Sequence, residues 1–232
     1  MFNLFYHSPL LNKFFPTLVH CLKKELADCE TVLDLGCGAD SPLKHCKNIK
    51  YSLGVEAFGS YLEKTKQQKI HNEYWHKKIE EIDLPAKSFD AVILIEVLEH
   101  LSKEQGYEIL KKAEKWAKKK IIFTTPNGFI AQNEIAGNKL EKHISDWNYA
   151  EIKKLGFKVN GLAGLKYLRQ ERPGRPDDNL LSSIRFKPKL FWFMLAALSQ
   201  AMTYRWPKLA FEFFALRTQN TKTPKHANKL SD

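Results

Sequence analysis

The stretch Thr31–Gly38, taken with the single acid Glu56, restricts what this chain can fold into more than any other part of it. Thr31-Val32-Leu33-Asp34-Leu35 is a short apolar, β-branched run, the composition of a buried parallel strand. It runs directly into Gly36-Cys37-Gly38, where missing Cβ atoms let a ligand approach the backbone. Asp40-Ser41-Pro42 reads as a helix start, a capping oxygen followed by proline at the first helical position. A second strand, Tyr51–Val55, ends at Glu56, about twenty residues past the first glycine. A nucleotide-binding βαβ unit places there the carboxylate that accepts hydrogen bonds from a ribose diol. The pattern points to an adenosine-type cofactor.

What is missing narrows the cofactor. A dinucleotide fingerprint needs a third glycine opening the helix so that pyrophosphate can sit on its N-terminus. Ser41 stands at that position, and Asp40 adds a negative charge that repels phosphate. An acidic pocket without a phosphate site suits a cofactor with a cationic centre. Val32–Gly38, Leu53–Glu56, Ile82–Pro85 with Ser88–Val92, and Val97–Leu101 follow one another in an order and spacing that resembles class I S-adenosylmethionine-dependent methyltransferases, over roughly residues 30 to 160.

The resemblance implies an α/β fold, a Rossmann-like doubly wound sheet of seven strands, mostly parallel with the last strand antiparallel, and helices on both faces. It implies S-adenosylmethionine as cofactor, with Asp34 beneath the loop, Gly36, Cys37 and Gly38 against the methionine part, and Glu56 on the ribose. The family's adenine-binding aspartate is not present in place; Ile79, through its backbone amide, and Glu80 are the candidates there, with Ile95 lining the cofactor site. Lys78 and Asp40 are departures from the family pattern.

The alternation of strand and helix patterns supports a parallel, doubly wound sheet independently of any resemblance. Strands are expected at Thr31–Leu35, Tyr51–Val55, Glu73–Ile79, Phe89–Ile95 and Ile121–Thr124, with a sixth from Phe157 and a last at Leu209–Leu216. The clearest helix is Lys103 to Lys118, capped by Ser102, and Trp147–Leu155 is another. The expected organisation is an N-terminal helical cap at 1–28 and a methyltransferase core at 29–169 and 209–218. An insertion or lid at 170–208 and a disordered tail at 219–232 complete it. The family likeness places the last strand between the fifth and sixth.

A chain of 232 residues can bury one sizeable core. Four cysteines, with neither a CxxC pair nor zinc spacing, read as reduced residues filling the core. The N-terminus has no basic n-region and an early Pro9, so no signal peptide is expected. The longest uncharged run, Leu190 to Tyr204, is shorter than the ~20 apolar residues a membrane span needs. These features lead to an expectation of a cytoplasmic protein. The net charge of +11 reads as a solvated lysine face, with Lys111–Lys120 on the outside of a helix, or as attraction to an anionic membrane or nucleic acid. Lys187, Lys189, Arg205 and Lys208 flank the aromatic, apolar run that includes Phe191, Trp192 and Phe193. That composition fits either a lid over a substrate pocket or a helix lying at the inner face of a membrane.

The reacting groups are sought after the fourth strand, at the edge where open α/β sheets bind ligands. Glu96, Glu99 and His100 stand at i, i+3 and i+4, one side of a helical turn, and His143 lies later. Two carboxylates and imidazoles are suitable ligands for a divalent metal ion. The group is similar to the metal-binding ExxEH of small-RNA 2′-O-methyltransferases and of some ubiquinone-pathway O-methyltransferases, which a later histidine completes. Without a metal, His100 or His143 becomes the candidate base, beside Glu96, and Thr124–Gly128 an opposite wall. The expected activity is methylation of a hydroxyl on a small-molecule or lipid-linked glycan acceptor. The alternatives are an RNA ribose 2′-O-methyltransferase, disfavoured by the lack of an RNA-binding module, and a non-catalytic cofactor-binding or membrane-associated protein.

Overall fold

Successive residues of a strand face opposite sides of its sheet, so the apolar run at Val32-Leu33 supplies two cores at once. The computed structural model describes residues 15–135, 137–170 and 181–219. Residues 1–14 of the expected N-terminal cap, 171–180 of the expected insertion and the tail from 220 lie outside the described residues.

Seven strands, β1 (Thr31–Leu35), β2 (Tyr51–Glu56), β3 (Glu73–His76), β4 (Phe89–Ile95), β5 (Ala117–Pro126), β6 (Lys158–Leu165) and β7 (Ala210–Thr218), form one sheet. Their order is β3-β2-β1-β4-β5-β7-β6. The first five pair in parallel, and β7 runs antiparallel to both β5 and β6. This is the expected doubly wound, Rossmann-like sheet. The helices are α1 (Leu18–Glu25), α2 (Gly59–Gln67), α3 (Lys103–Trp116), α4 (Tyr149–Lys154) and α5 (Lys189–Thr203).

One core layer joins Leu33, Leu53, Val92 and Leu94 to Ile109, Leu110 and Trp116 of α3 and to Phe157. The other joins Val32, Ala91, Ile93 and Ile122 to Cys21 and Leu22 of α1 and to Leu43 and Cys46. Each fully buried leucine or phenylalanine contributes about 1.5–3 kcal/mol of transfer free energy. All four cysteines are free and buried, as core filler should be.

Ser102 caps α3 in a reciprocal capping box with Gln105, as the sequence suggests. The helix ends at Trp116, not Lys118, and its last lysines change role. Lys118–Lys120 belong to β5, where Lys119 pairs with Asp90 at 3.6 Å and Lys120 with Asp28 at 2.6 Å. The run is therefore not one solvated helical face. The third strand stops at His76 because Ile79–Glu81 winds into a 3-10 turn. Ser41 caps Pro42–His45, which is also only a 3-10 turn.

Helix α5 lies against the edge strand β6. Its backbone comes so close that a Cβ on Gly164 would sit 2.0 Å from the Ala196 carbonyl oxygen, and one on Gly161 2.3 Å from that of Thr203. Phe193, part of the aromatic run read from sequence as a lid or a membrane-facing helix, is buried with Leu168, Ile184 and Ala196.

Candidate active site

The strand order reverses direction between β1 and β4, which opens a crevice at their C-terminal ends. A cavity of about 960 Å³ occupies it. Asp34, Gly36, Cys37, Gly38, Glu56, Ile79, Glu80 and Ile95 all line it, and so do Glu96, Glu99, His100 and His143.

The loop after β1 is shaped by two glycines with left-handed backbones, Gly36 at φ 66° and Gly38 at φ 60°. A Cβ on Gly36 would lie 2.7 Å from a Val97 methyl, whereas one on Gly38 would meet nothing within 4 Å. Gly38 therefore borders open cavity, and the space a ligand needs is there. Glu56 accepts hydrogen bonds from Gly38 N–H to Oε2 at 2.9 Å and from Phe58 N–H to Oε1 at 2.7 Å. Burial holds this carboxyl above the usual glutamate range despite the backbone donors of Phe58, Gly38 and Ala57.

Asp34 is almost wholly buried, and two donors converge on its Oδ2: the Ser41 hydroxyl at 2.5 Å and His71 Nε2 at 2.9 Å. His71 was not among the residues the sequence singled out. Its ring fits because β2 carries Gly54, where a Cβ would lie 3.0 Å from both the His71 ring and the Cys37 sulfur. A glycine inside a strand is the signal that could have found it. Burial, with Asp34 and Glu56 nearby, pushes the Cys37 thiol far up, so it stays protonated and is no nucleophile.

On the cavity wall after β3, Ile79 opens its 3-10 turn and so has an N–H of the kind a helix start leaves unused. The Glu80 carboxylate accepts from Gln105 Nε2 at 3.1 Å.

Residues 33–123 match the family model of a methyltransferase domain. The chain carries a class I S-adenosylmethionine-dependent methyltransferase domain. No curated protein matches the sequence. Among solved structures, a SAM-dependent methyltransferase from Archaeoglobus fulgidus is 18% identical with a TM-score of 0.51, over 90% of this chain and 98% of that one. The plantazolicin methyltransferase BpumL, solved with SAH, is 12% identical with a TM-score of 0.52, over 94% and 93%. The small RNA methyltransferase HEN1 is 15% identical with a TM-score of 0.55, over 88% of this chain and 25% of that one. At these identities the likeness is one of fold.

At the far end of the methyltransferase cavity, the turn after β4 is stitched to a later segment. The Glu99 carbonyl accepts from Ile144 N–H at 2.9 Å and Ser145 N–H at 3.2 Å, and the Ser145 hydroxyl bonds Leu98 O at 3.1 Å. That seam carries His143 onto His100, ring centroids 4.8 Å apart. Carbonyl oxygens of Lys142, at 3.3 Å, and Ile130, at 2.6 Å, accept from the Nδ1 atoms of His100 and His143. Each imidazole is thereby fixed with its proton on Nδ1 and a lone pair on Nε2. Burial lowers both pKa values, which keeps the rings neutral near pH 7. Ligand atoms of Glu99, His100 and His143 lie within 4.8 Å of one another. Both Glu99 oxygens are buried without a donor in full hydrogen-bond geometry, the Thr125 hydroxyl and the Glu99 N–H being the donors that act on the carboxyl. Burial, and then the Glu96 charge, raises the Glu99 carboxyl well above its usual range.

Glu96 stands outside this cluster. Its backbone is left-handed, φ 55°, not helical, so the i, i+3, i+4 geometry does not form. Its N–H donates to Thr124 Oγ1 at 3.1 Å, and that hydroxyl donates back to Glu96 Oε1 at 2.8 Å. Of the proposed opposite wall, Pro126 reaches the cavity, while the Asn127 side chain is committed to the carbonyls of Lys208 and Ala210.

The cavity's cover comes from a segment without sequence periodicity, 130–144, which contributes Ile130, Gln132, Ile135 and Asn138. Tyr61 of α2 hydrogen-bonds Glu141 in this cover. No residue of α5 lines the cavity; Arg169, buried between Phe193 and Phe211 and donating to Ser183 Oγ at 2.6 Å, does.

Proposed function

We propose that this methyltransferase domain methylates a hydroxyl oxygen of a small-molecule or lipid-linked glycan acceptor, at the cytoplasmic face of a membrane in the lipid-linked case. One observation carries the reading: His100 and His143, each with Nδ1 committed to a carbonyl, share the cavity with the Gly36–Gly38 loop and Glu56. Basic nitrogens thus face the same space as a cofactor-shaped loop, and about 960 Å³ is room for cofactor and acceptor together.

Bound S-adenosylmethionine supplies an electrophilic methyl group on a sulfonium centre. In this reading Asp34, pinned through Oδ2, offers Oδ1 to the amino group, and Gly38 lets the methionine part lie on the backbone. Glu56 accepts the ribose hydroxyls, and Ile79 with Glu80 edges the adenine. Nε2 of His100 or His143 accepts the acceptor's proton as the oxygen attacks in line with the methyl. The 130–144 cover and Tyr61 exclude water above the reacting atoms.

Glu99, His100 and His143 also fit a divalent cation: a buried carboxyl and two carbonyl-oriented imidazoles with ligand atoms within 4.8 Å of one another are such a donor set. They, and not Glu96, would hold it, and it would acidify and orient the acceptor hydroxyl. An RNA ribose acceptor is the second reading, favoured by this cluster and the +11 charge.

The test is transfer of labelled methyl from S-adenosylmethionine to a lipid extract, a nucleotide-sugar pool and an RNA pool, each with and without chelator. Label in the lipid or sugar pool supports the reading, and label only in RNA replaces it with the second. Chelator-insensitive turnover in metal-free buffer leaves His100 and His143 as bases alone.

A further inference from the structure

Helix α5 is two-sided. Phe193, Ala196, Gln200 and Thr203 are buried against the body of the protein. On the opposite stripe, Leu190, Phe191, Met194, Leu195 and Leu198 are exposed, Phe191 at 55% and Leu198 at 56%. Polar residues normally occupy that side of a surface helix. Trp206, at 59%, continues the apolar surface beyond the helix, and Tyr167, at 69%, extends it at the other end by packing on Phe186, ring centroids 5.3 Å apart. Phe186 in turn packs on Trp192 at 5.2 Å, which gives an aromatic cluster at the N-terminal end of the helix.

The charge around this surface has one sign. From Leu181 to Phe211 the chain holds Arg185, Lys187, Lys189, Arg205 and Lys208, and no Asp or Glu. Two cationic ends bracket an apolar, aromatic middle. Among the described residues no helix is long and apolar enough to cross a membrane, and the 15 residues of α5 would reach only about 22 Å of a ~30 Å hydrocarbon core.

We infer that this face docks on an anionic lipid bilayer, with α5 lying in the interface, its apolar stripe among the acyl chains and its five cations at the head groups. A bilayer answers both features, apolar contact in the middle and negative charge at both ends. A cover by residues 1–14, which hold one lysine and no acid, would answer only the apolar part. The docked face adjoins the site: Tyr167 on the surface and Arg169 in the cavity wall are two residues apart. The inference rests on α5 and not on the acceptor assigned above, so a failure here leaves methyl transfer to a soluble acceptor standing.

Sedimentation of the full chain with phosphatidylglycerol–phosphatidylcholine vesicles, against pure phosphatidylcholine, tests it. The expected result is binding at least roughly ten-fold tighter to the anionic vesicles, weakening as salt rises. The variant F191S/L198S/W206S, changed only at exposed side chains, should lose that binding while keeping its affinity for S-adenosylhomocysteine. K187Q/R205Q/K208Q should lose the preference for anionic lipid with no apolar residue altered. Wild type remaining in the supernatant at low salt overturns the proposal. So does undiminished vesicle binding by both variants, or a concentration-dependent dimer that F191S/L198S/W206S abolishes.

Discussion

His71 offers the most direct check on how the cofactor loop is held. Its Nε2 donates to Asp34 Oδ2 at 2.9 Å, with side-chain exposures of 0% and 1%, so water cannot replace the bond. Replacing it by leucine leaves the buried carboxylate with the Ser41 hydroxyl as its remaining side-chain donor. A buried hydrogen bond to a charged group is worth about 1.5–3 kcal/mol. At roughly 2–4 °C per kcal/mol for a chain of this size, H71L should melt about 3–12 °C below wild type. Two donors on one oxygen also fix how Asp34 presents Oδ1. Losing one should weaken S-adenosylhomocysteine binding about ten-fold, which is ~1.4 kcal/mol. H71Q, which keeps an N–H donor, should recover part of both losses. Scanning calorimetry and titration calorimetry read the two effects separately. An unchanged melting temperature refutes the bond; a lowered one with affinity within two-fold of wild type refutes the positioning role and leaves His71 purely structural.

G38V should abolish binding of S-adenosylmethionine in a titration, because its side chain would enter open cavity, while strain at φ 60° costs only about 1–2 kcal/mol of stability. G106V should destabilise by about 1–3 kcal/mol or more in denaturant unfolding, since even a Cβ there lies 2.5 Å from the buried Trp147 ring. Glu56 gives a pH signature. Its folded pKa is raised, so above 4.5 the unfolded chain releases a proton the folded one retains, and cofactor-free stability should fall as pH rises from there to the folded value. E56Q should lack that decline.

Where local pattern and tertiary environment agree, the sequence was sufficient. Thr31–Leu35 and Phe89–Ile95 are strands to the residue, because continuous apolar runs fit strands covered on both faces. The bend of the loop after β1 was legible because the two glycines mark left-handed backbone positions, and Glu56 ties to it through Gly38 N–H. The lysines at 118–120 misled because a strand was masked by charges whose partners, Asp28 and Asp90, are distant in sequence. Glu96 misled for a different reason: its left-handed backbone is stabilised by Thr124 on a neighbouring strand, which no local spacing encodes. His71 and the 130–144 cover have no periodicity at all and acquire meaning only from what packs against them. The run at 187–208 reads from sequence as apolar between basic ends, and which aromatic turns inward, Phe193 and not Phe191, depends on where β6 lies.

The position of β7 governs the order in which the site can come into being. β6 pairs with β7 and with no other strand, and β7 is last in chain order although it is sixth in the sheet. The cofactor half, β1 to β5, is built from consecutive segments that find their neighbours as they emerge. The half that carries β6, Arg169 and α5 has no place in the sheet until residue 210 and beyond arrive. In that order of synthesis the crevice at the ends of β1 and β4 can form while the β5 edge is still open, a surface prone to mispairing. Occupation of that crevice would stabilise the partial sheet while it waits for β7.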